Sequence, residues 1–158
     1  MERRLLGIYL ADHHAGATAG LELARRAAQN NRGTETGTVL GGVAEEIAED
    51  RRTLEGLMHT LGLHPSPVKV TLARTAELIG RLKLNGRVFA YSPLSRLAEL
   101  ESISIGIIGK LKLWQALAAA GPFPDADGFD FDRLMARAEA QHAAIEGCRR
   151  QAAEAAFD

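Results

Sequence analysis

Apolar residues recur at three- and four-residue steps along four long segments of this chain. An ionisable side chain breaks each stripe near its middle. The first stripe is Leu6, Leu10, Ala17, Gly20 and Ala24, with His13 on a stripe position. The second is Leu40, Val43, Ile47, Leu54, Leu57 and Leu61, broken by Asp50. The third is Leu94, Leu97, Ser104, Ile108 and Leu111, with Glu101 between. The fourth is Phe131, Met135, Ala138, Ile145 and Ala152, with His142 inside. This spacing makes one face of an amphipathic helix. A charge on such a face is costly to bury unless it is paired or bound to a metal. Four such breaks on four helices predict a shared polar site inside a helical bundle.

Punctuation supports the same division. Helix 1 is expected from about Arg3 to Gln29, closed by Asn30-Asn31-Arg32-Gly33. Helix 2 is expected from near Thr36 to Leu61, with Gly62 as its stop. Ser66-Pro67 and Ser92-Pro93 each pair an N-cap with a proline at the first helical position. The first pair opens a short helix carrying Val68, Leu72, Ala76, Ile79 and Leu82. The second opens helix 3, which is expected to reach about Ala120 before Gly121-Pro122. Asp130 caps helix 4, which runs nearly to the C-terminus. The expected fold is all-α: one domain over residues 1–158, with four long helices and a short extra helix in a crossover of about thirty residues.

Hydrophobic residues make up 46% of the 158 residues and aromatics only 5%, which favours helices over sheets. A net charge of −1 gives no global field for nucleic acid or an anionic membrane. The single cysteine, Cys148, allows no intramolecular disulfide and suits a reducing cytoplasm. The first apolar run stops at Asp12-His13-His14 without a cleavage-like site, against a signal peptide. The most apolar stretch, Ile103 to Leu113, carries Lys110 and Lys112 and is short for a bilayer. A soluble cytoplasmic protein is expected, with no membrane or nucleic-acid partner.

The polar residues have a spacing of their own. Helix 4 carries Glu139-Ala140-Gln141-His142, and helix 2 carries Glu46-Ile47-Ala48-Glu49 with Asp50 beside it. Helix 3 carries Glu99 and Glu101, and helix 1 carries Asp12, His13 and His14. Residues three apart share a helix face and can reach one metal pair. With two hairpins joined by a long crossover, this resembles the ferritin-like superfamily of four-helix bundles. That family's di-metal centre takes one Glu from each of two helices and a Glu-x-x-His from each of the others. One of the two Glu-x-x-His motifs is present here. The resemblance implies iron or manganese held by His13, Glu46, Asp50, Glu101, Glu139 and His142, with oxidative chemistry. The competing expectation, and the preferred one, is a non-enzymatic bundle for interaction or for a small ligand, with its central polar groups paired together. A homo-oligomer is a possible assembly.

Two further expectations bear on the site. If the helix 3 seam is Leu97, Leu100, Ser104, Ile107, Leu111 and Trp114, Glu101 lies at its flank. Gly16, Gly20, Gly106 and Gly109 stand inside helices, where glycine costs about 1 kcal/mol against alanine. Close helix packing is the expected compensation. A small cavity beside a polar centre is the functional alternative.

Overall fold

The computed structural model describes residues 2–63, 91–121, 123 and 128–158. The expected short helix after Ser66-Pro67 lies outside the described residues, as does most of the crossover. Within them the chain forms four helices: α1 (Arg3–Asn30), α2 (Glu35–Thr60), α3 (Pro93–Ala120) and α4 (Phe131–Phe157). There is no strand among the described residues. Two caps read from sequence, Ser92 and Asp130, take their places, and Thr34 caps α2 without having been singled out. Thr34, two residues earlier than the expected start, accepts from the Gly37 amide. Ser92 accepts from Ser95 ahead of Pro93, and Asp130 accepts from Arg133.

The turn between α1 and α2 is built on glycine and asparagine. Gly33 takes a positive φ of 82°, which glycine adopts without strain. Gly37 passes so close to Asn31 that an added Cβ would lie 2.1 Å from its carbonyl oxygen. The Asn31 side chain turns back to donate to Ala27 O and to the Tyr91 hydroxyl. At the other end, Gly62 (φ 64°) closes α2, and its last carbonyls are met by the amides of Gly62 and Leu63.

The helices pair as two antiparallel hairpins, α1–α2 and α3–α4. The α1 helix also packs on α3 and, more sparsely, α2 on α4. Arg26 and Asn30, at the end of α1, meet Glu99 near the start of α3. The α3 helix therefore runs antiparallel to α1 and parallel to α2. Two apolar clusters fill the interior. The larger one, toward the α1–α2 turn, is made of small and aliphatic side chains such as Ala24, Leu40, Ile47, Leu100, Ile107 and Ile145. The second, toward the opposite end, brings together Leu10, Leu57, Met58, Trp114, Phe123 and Leu134.

On α2 the buried face matches the stripe read from sequence, Asp50 included, except at Leu61, which lies past the helix end and is half-buried. On α3 the buried seam is Leu97, Leu100, Ile103, Ser104, Ile107, Leu111, Trp114 and Leu117. This is the second register of the two. Leu94 and Glu101 are exposed because one step of helix rotation carries them off the seam. On α4 the seam is Leu134, Ala138, Gln141, Ile145, Cys148 and Ala152, so Gln141 rather than His142 takes the central position. The apolar character of α3 extends past Ile103–Leu113. Over Pro93–Ala120 the helix is long and apolar enough to cross a membrane by length and composition, as the core helix of a soluble protein also is.

Candidate functional site

Between the two apolar clusters lies one buried carboxylate. Asp50 is 2% exposed, and its side chain is met from the other hairpin on both oxygens. The Lys110 ammonium of α3 donates to Oδ2 at 2.5 Å. The Gln141 amide of α4 donates to the same oxygen at 3.2 Å. The Arg137 guanidinium, one turn earlier on α4, donates to Oδ1 and reaches Glu49 at 3.0 Å. Lys110 donates in turn to Gln141 Oε1, so the three partners and Asp50 form one connected network. Asp50 and Gln141 sit on their seams, and Lys110 and Arg137 sit beside theirs. Lys110 follows Ile107 by three residues, Arg137 follows Leu134 by three, and Gln141 follows Ala138 by three.

Burial pulls the Lys110 ammonium below the usual lysine range, against the attraction of Asp50. Burial also works against the Arg137 charge, but hydrogen bonds and attraction from Glu49 and Asp50 outweigh it and raise Arg137 above its ordinary value. The charges do not cancel inside the bundle. Asp50 faces two cations, and the further carboxylate on Arg137, Glu49, has a side chain 53% exposed.

The expected metal ligands are not brought together. Glu46, Glu101 and Glu139 lie on exposed faces, His13 and His142 are half-buried, and only Asp50 is in the core. The stripe position of His142 predicts a mostly buried imidazole paired with an acid from helix 2 or 3. His142 has no hydrogen bond among the described residues, because Gln141 holds the inward position on its helix. No three His, Cys, Asp or Glu residues converge as a metal site among the described residues. The donor chemistry points the same way. Both Asp50 oxygens are occupied by protonated nitrogen donors, and a cation would have to displace two positive charges to reach them. The residues present do not fit a di-iron or di-manganese centre.

The network forms part of the wall of a cleft. A cavity of about 330 Å³ opens between α1 and α3, with Ile47, Asp50, Arg51 and Leu54 of α2 beneath. Its walls explain the helix glycines. Gly16 and Gly20 on α1, and Gly106 and Gly109 on α3, all line it. An added Cβ at any of the four would meet nothing within 4 Å. Close packing, the expected explanation, is therefore not what these glycines serve: they leave space. The lining is mainly apolar, with Ile103, Ile107, Leu113 and Trp114 on α3 and Ala17 and Leu23 on α1. His13 lies at one side, against the Tyr9 ring at 4.6 Å between centroids. Burial lowers its pKa from 6.5, opposed by nearby Asp12, which favours the neutral ring at neutral pH.

Sequence reasoning did not single out Lys110, Arg137 or Gln141. The signal was present in their seam spacing, but long side chains with polar tips read as solvated unless the seam register is known. A second polar cluster was also missed. Glu99, 8% exposed, accepts from Tyr91 at 3.0 Å and is approached by Arg26 at 3.4 Å, while Asn31 donates to Tyr91 at 2.7 Å. Burial pushes the Tyr91 hydroxyl above its usual range, and the Glu99 charge adds to this. Cys148 is buried, and burial raises its thiol pKa, which keeps it in the unreactive thiol form.

Fold and site together define a class: among the described residues, an all-α arrangement of four helices with a polar network in its core and a glycine-walled cleft beside it. No protein-family model matches the chain, and neither a curated protein nor a solved structure does.

Proposed function

We propose that this chain is a non-enzymatic, cytoplasmic helical bundle that binds a small apolar molecule in the cleft between α1 and α3. The observation that carries the reading is the pairing of open space with helix glycine. Four glycines, each unfavourable in a helix interior, border one cavity and fill none of it. The volume of about 330 Å³ lies in the range of small-molecule sites, roughly 300–1,000 Å³. The Asp50, Lys110 and Gln141 side chains beside it are hydrogen-bonded together, which supports binding over catalysis. The bundle is proposed as ferritin-like in architecture only. Two antiparallel hairpins with α2 parallel to α3 support that likeness, and the core polar network replaces the family's metal centre. Neither membrane nor nucleic acid is a partner in this reading. The buried seam of α3 and its ties to Asp50 support a place inside a soluble bundle.

The protein carries its own reporter, since Trp114 is the single tryptophan and lines the cleft. Titration with 1-octanol is expected to give a saturable change in Trp114 fluorescence, and Gly106→Leu, which fills the cleft, is expected to remove it. A response equal in the two proteins, or none in either, would sink the reading.

A further inference from the structure

We propose that the cleft takes a small aliphatic carboxylate, its tail between the glycine-walled helices and its head beside Lys110, Arg51 and Trp114. The proposal rests on the cleft being a ligand site and adds the chemistry of the ligand. Three observations point to an acidic head.

The buried polar atoms left unpaired around the cleft are donors. Trp114 is 1% exposed and its indole Nε1 has no hydrogen-bond partner among the described residues. The Nε of Arg51 is likewise buried and unpartnered there. Both residues line the cleft. A buried donor without an acceptor is costly, and a ligand that brings acceptor oxygens removes that cost. The Lys110 ammonium has three N–H groups. It spends two on Asp50 and Gln141, which leaves one for a molecule in the cleft it lines.

Charge points the same way. The buried network sets one carboxylate, Asp50, against Lys110 and Arg137, while Glu46 near Lys110 and Asp12 on the cleft wall are exposed to solvent, which screens their charge. Glu49 balances Arg137 only from the exposed side. Arg51 is shared with Glu55 at 3.3 Å on the outer face. An anionic head in the cleft offsets the surplus positive charge, and a cationic head would add to it. Apart from Asp12, His13 and Ser102 at its margin, the rest of the lining is aliphatic or glycine, which suits a saturated tail. At roughly 30 Å³ per water-sized position, the cavity admits a ligand on the order of ten non-hydrogen atoms.

The test compares three eight-carbon probes with the same tail: octanoate, 1-octanol and octylamine, each kept below its solubility limit and below any micellar concentration. Trp114 fluorescence and the thermal midpoint of the full chain are read together. Octanoate is expected to bind about tenfold or more tighter than octanol, the scale of a charge-assisted hydrogen bond, and octylamine more weakly than octanol. Lys110→Gln is expected to bring octanoate to within about threefold of octanol. Arg51→Gln, on the half-exposed side of the site, is a second head-group variant should Lys110→Gln not fold. Gly106→Leu is expected to abolish all three. Equal affinity for octanoate and octanol, a preference for octylamine, or octanoate binding indifferent to both head-group variants overturns the carboxylate while leaving the cleft as a ligand site. Failure of all three probes, or binding that survives Gly106→Leu, overturns the cleft itself.

Discussion

The α3 helix presents two unlike faces to its neighbours. Toward α4 the packing is extensive, and the buried residues of the two seams close over one another. Toward α1 the contact is sparser, and glycines from both helices leave a cavity. The difference shows that a bundle helix need not be uniformly packed to be stable. One closed face and a buried polar tie hold α3 in place, so the other face is free to stay open. The closed side is where side-chain volume is fixed, and the open side is where added volume is tolerated.

The largest expected effect comes from cutting the tie behind both faces. Asp50→Ala leaves Lys110 and Arg137 buried against each other, a change of the kind that costs about 3–5 kcal/mol. A drop in chemical-denaturation stability well under 1 kcal/mol would show that the network does not hold the hairpins together. Replacing Asp50, Lys110, Arg137 and Gln141 together by Leu, Met, Met and Leu is expected to recover much of that loss, since neither cation then remains without its buried carboxylate. A smaller effect is expected on the closed side. Ile145→Val removes one methylene from a fully buried α4 position and costs about 0.5–1.5 kcal/mol. The open side reverses the sign. Gly106→Ala and Gly20→Ala add a methyl group that meets nothing, and each is expected to stabilise by about 0.5–1 kcal/mol. Destabilisation by both would mean that α1 and α3 pack closely after all.

The smallest effect is a pH dependence at the rim of the open side. The unfolded chain protonates His13 near 6.5 and the folded protein only at lower pH. Between the two values the unfolded state holds more protons, so stability falls as pH falls through that window. Urea melts of wild type and His13→Gln are expected to differ by a term that changes below pH 6.5 and is flat above it. Parallel curves across that range would remove His13 from the account.

Much of this architecture is legible in the sequence. Four stripes and their caps place the four helices within a residue or two, because local spacing and capping chemistry are properties of the chain itself. Asp50 stands out on its stripe for the same reason. The α3 register is harder. Apolar residues surround Ile103–Leu113 so fully that two rotations read almost equally well, and only the packed structure decides between them. The partners of Asp50 then stay hidden, since Lys110 and Arg137 reach inward on long side chains from positions that also suit solvent. On α4, a Glu-x-x-His pair drew attention to His142 when its neighbour Gln141 faced the core. The helix glycines are legible as an oddity, but spacing alone does not separate close approach from an open cleft.

The connectivity of the Asp50 network carries a kinetic consequence. Its hydrogen-bond partners among the described residues, Lys110, Arg137 and Gln141, all belong to the hairpin that Asp50 does not. Each hairpin is assembled from contacts close in sequence, which form early, whereas docking one on the other must first close the long connection between α2 and α3. The carboxylate is therefore expected to meet its counter-charges late, on the native side of the folding barrier. Loss of the network should leave the refolding arm of a chevron nearly unchanged and steepen escape from the native state, so that Asp50 governs how long the folded molecule lasts rather than how fast it is reached.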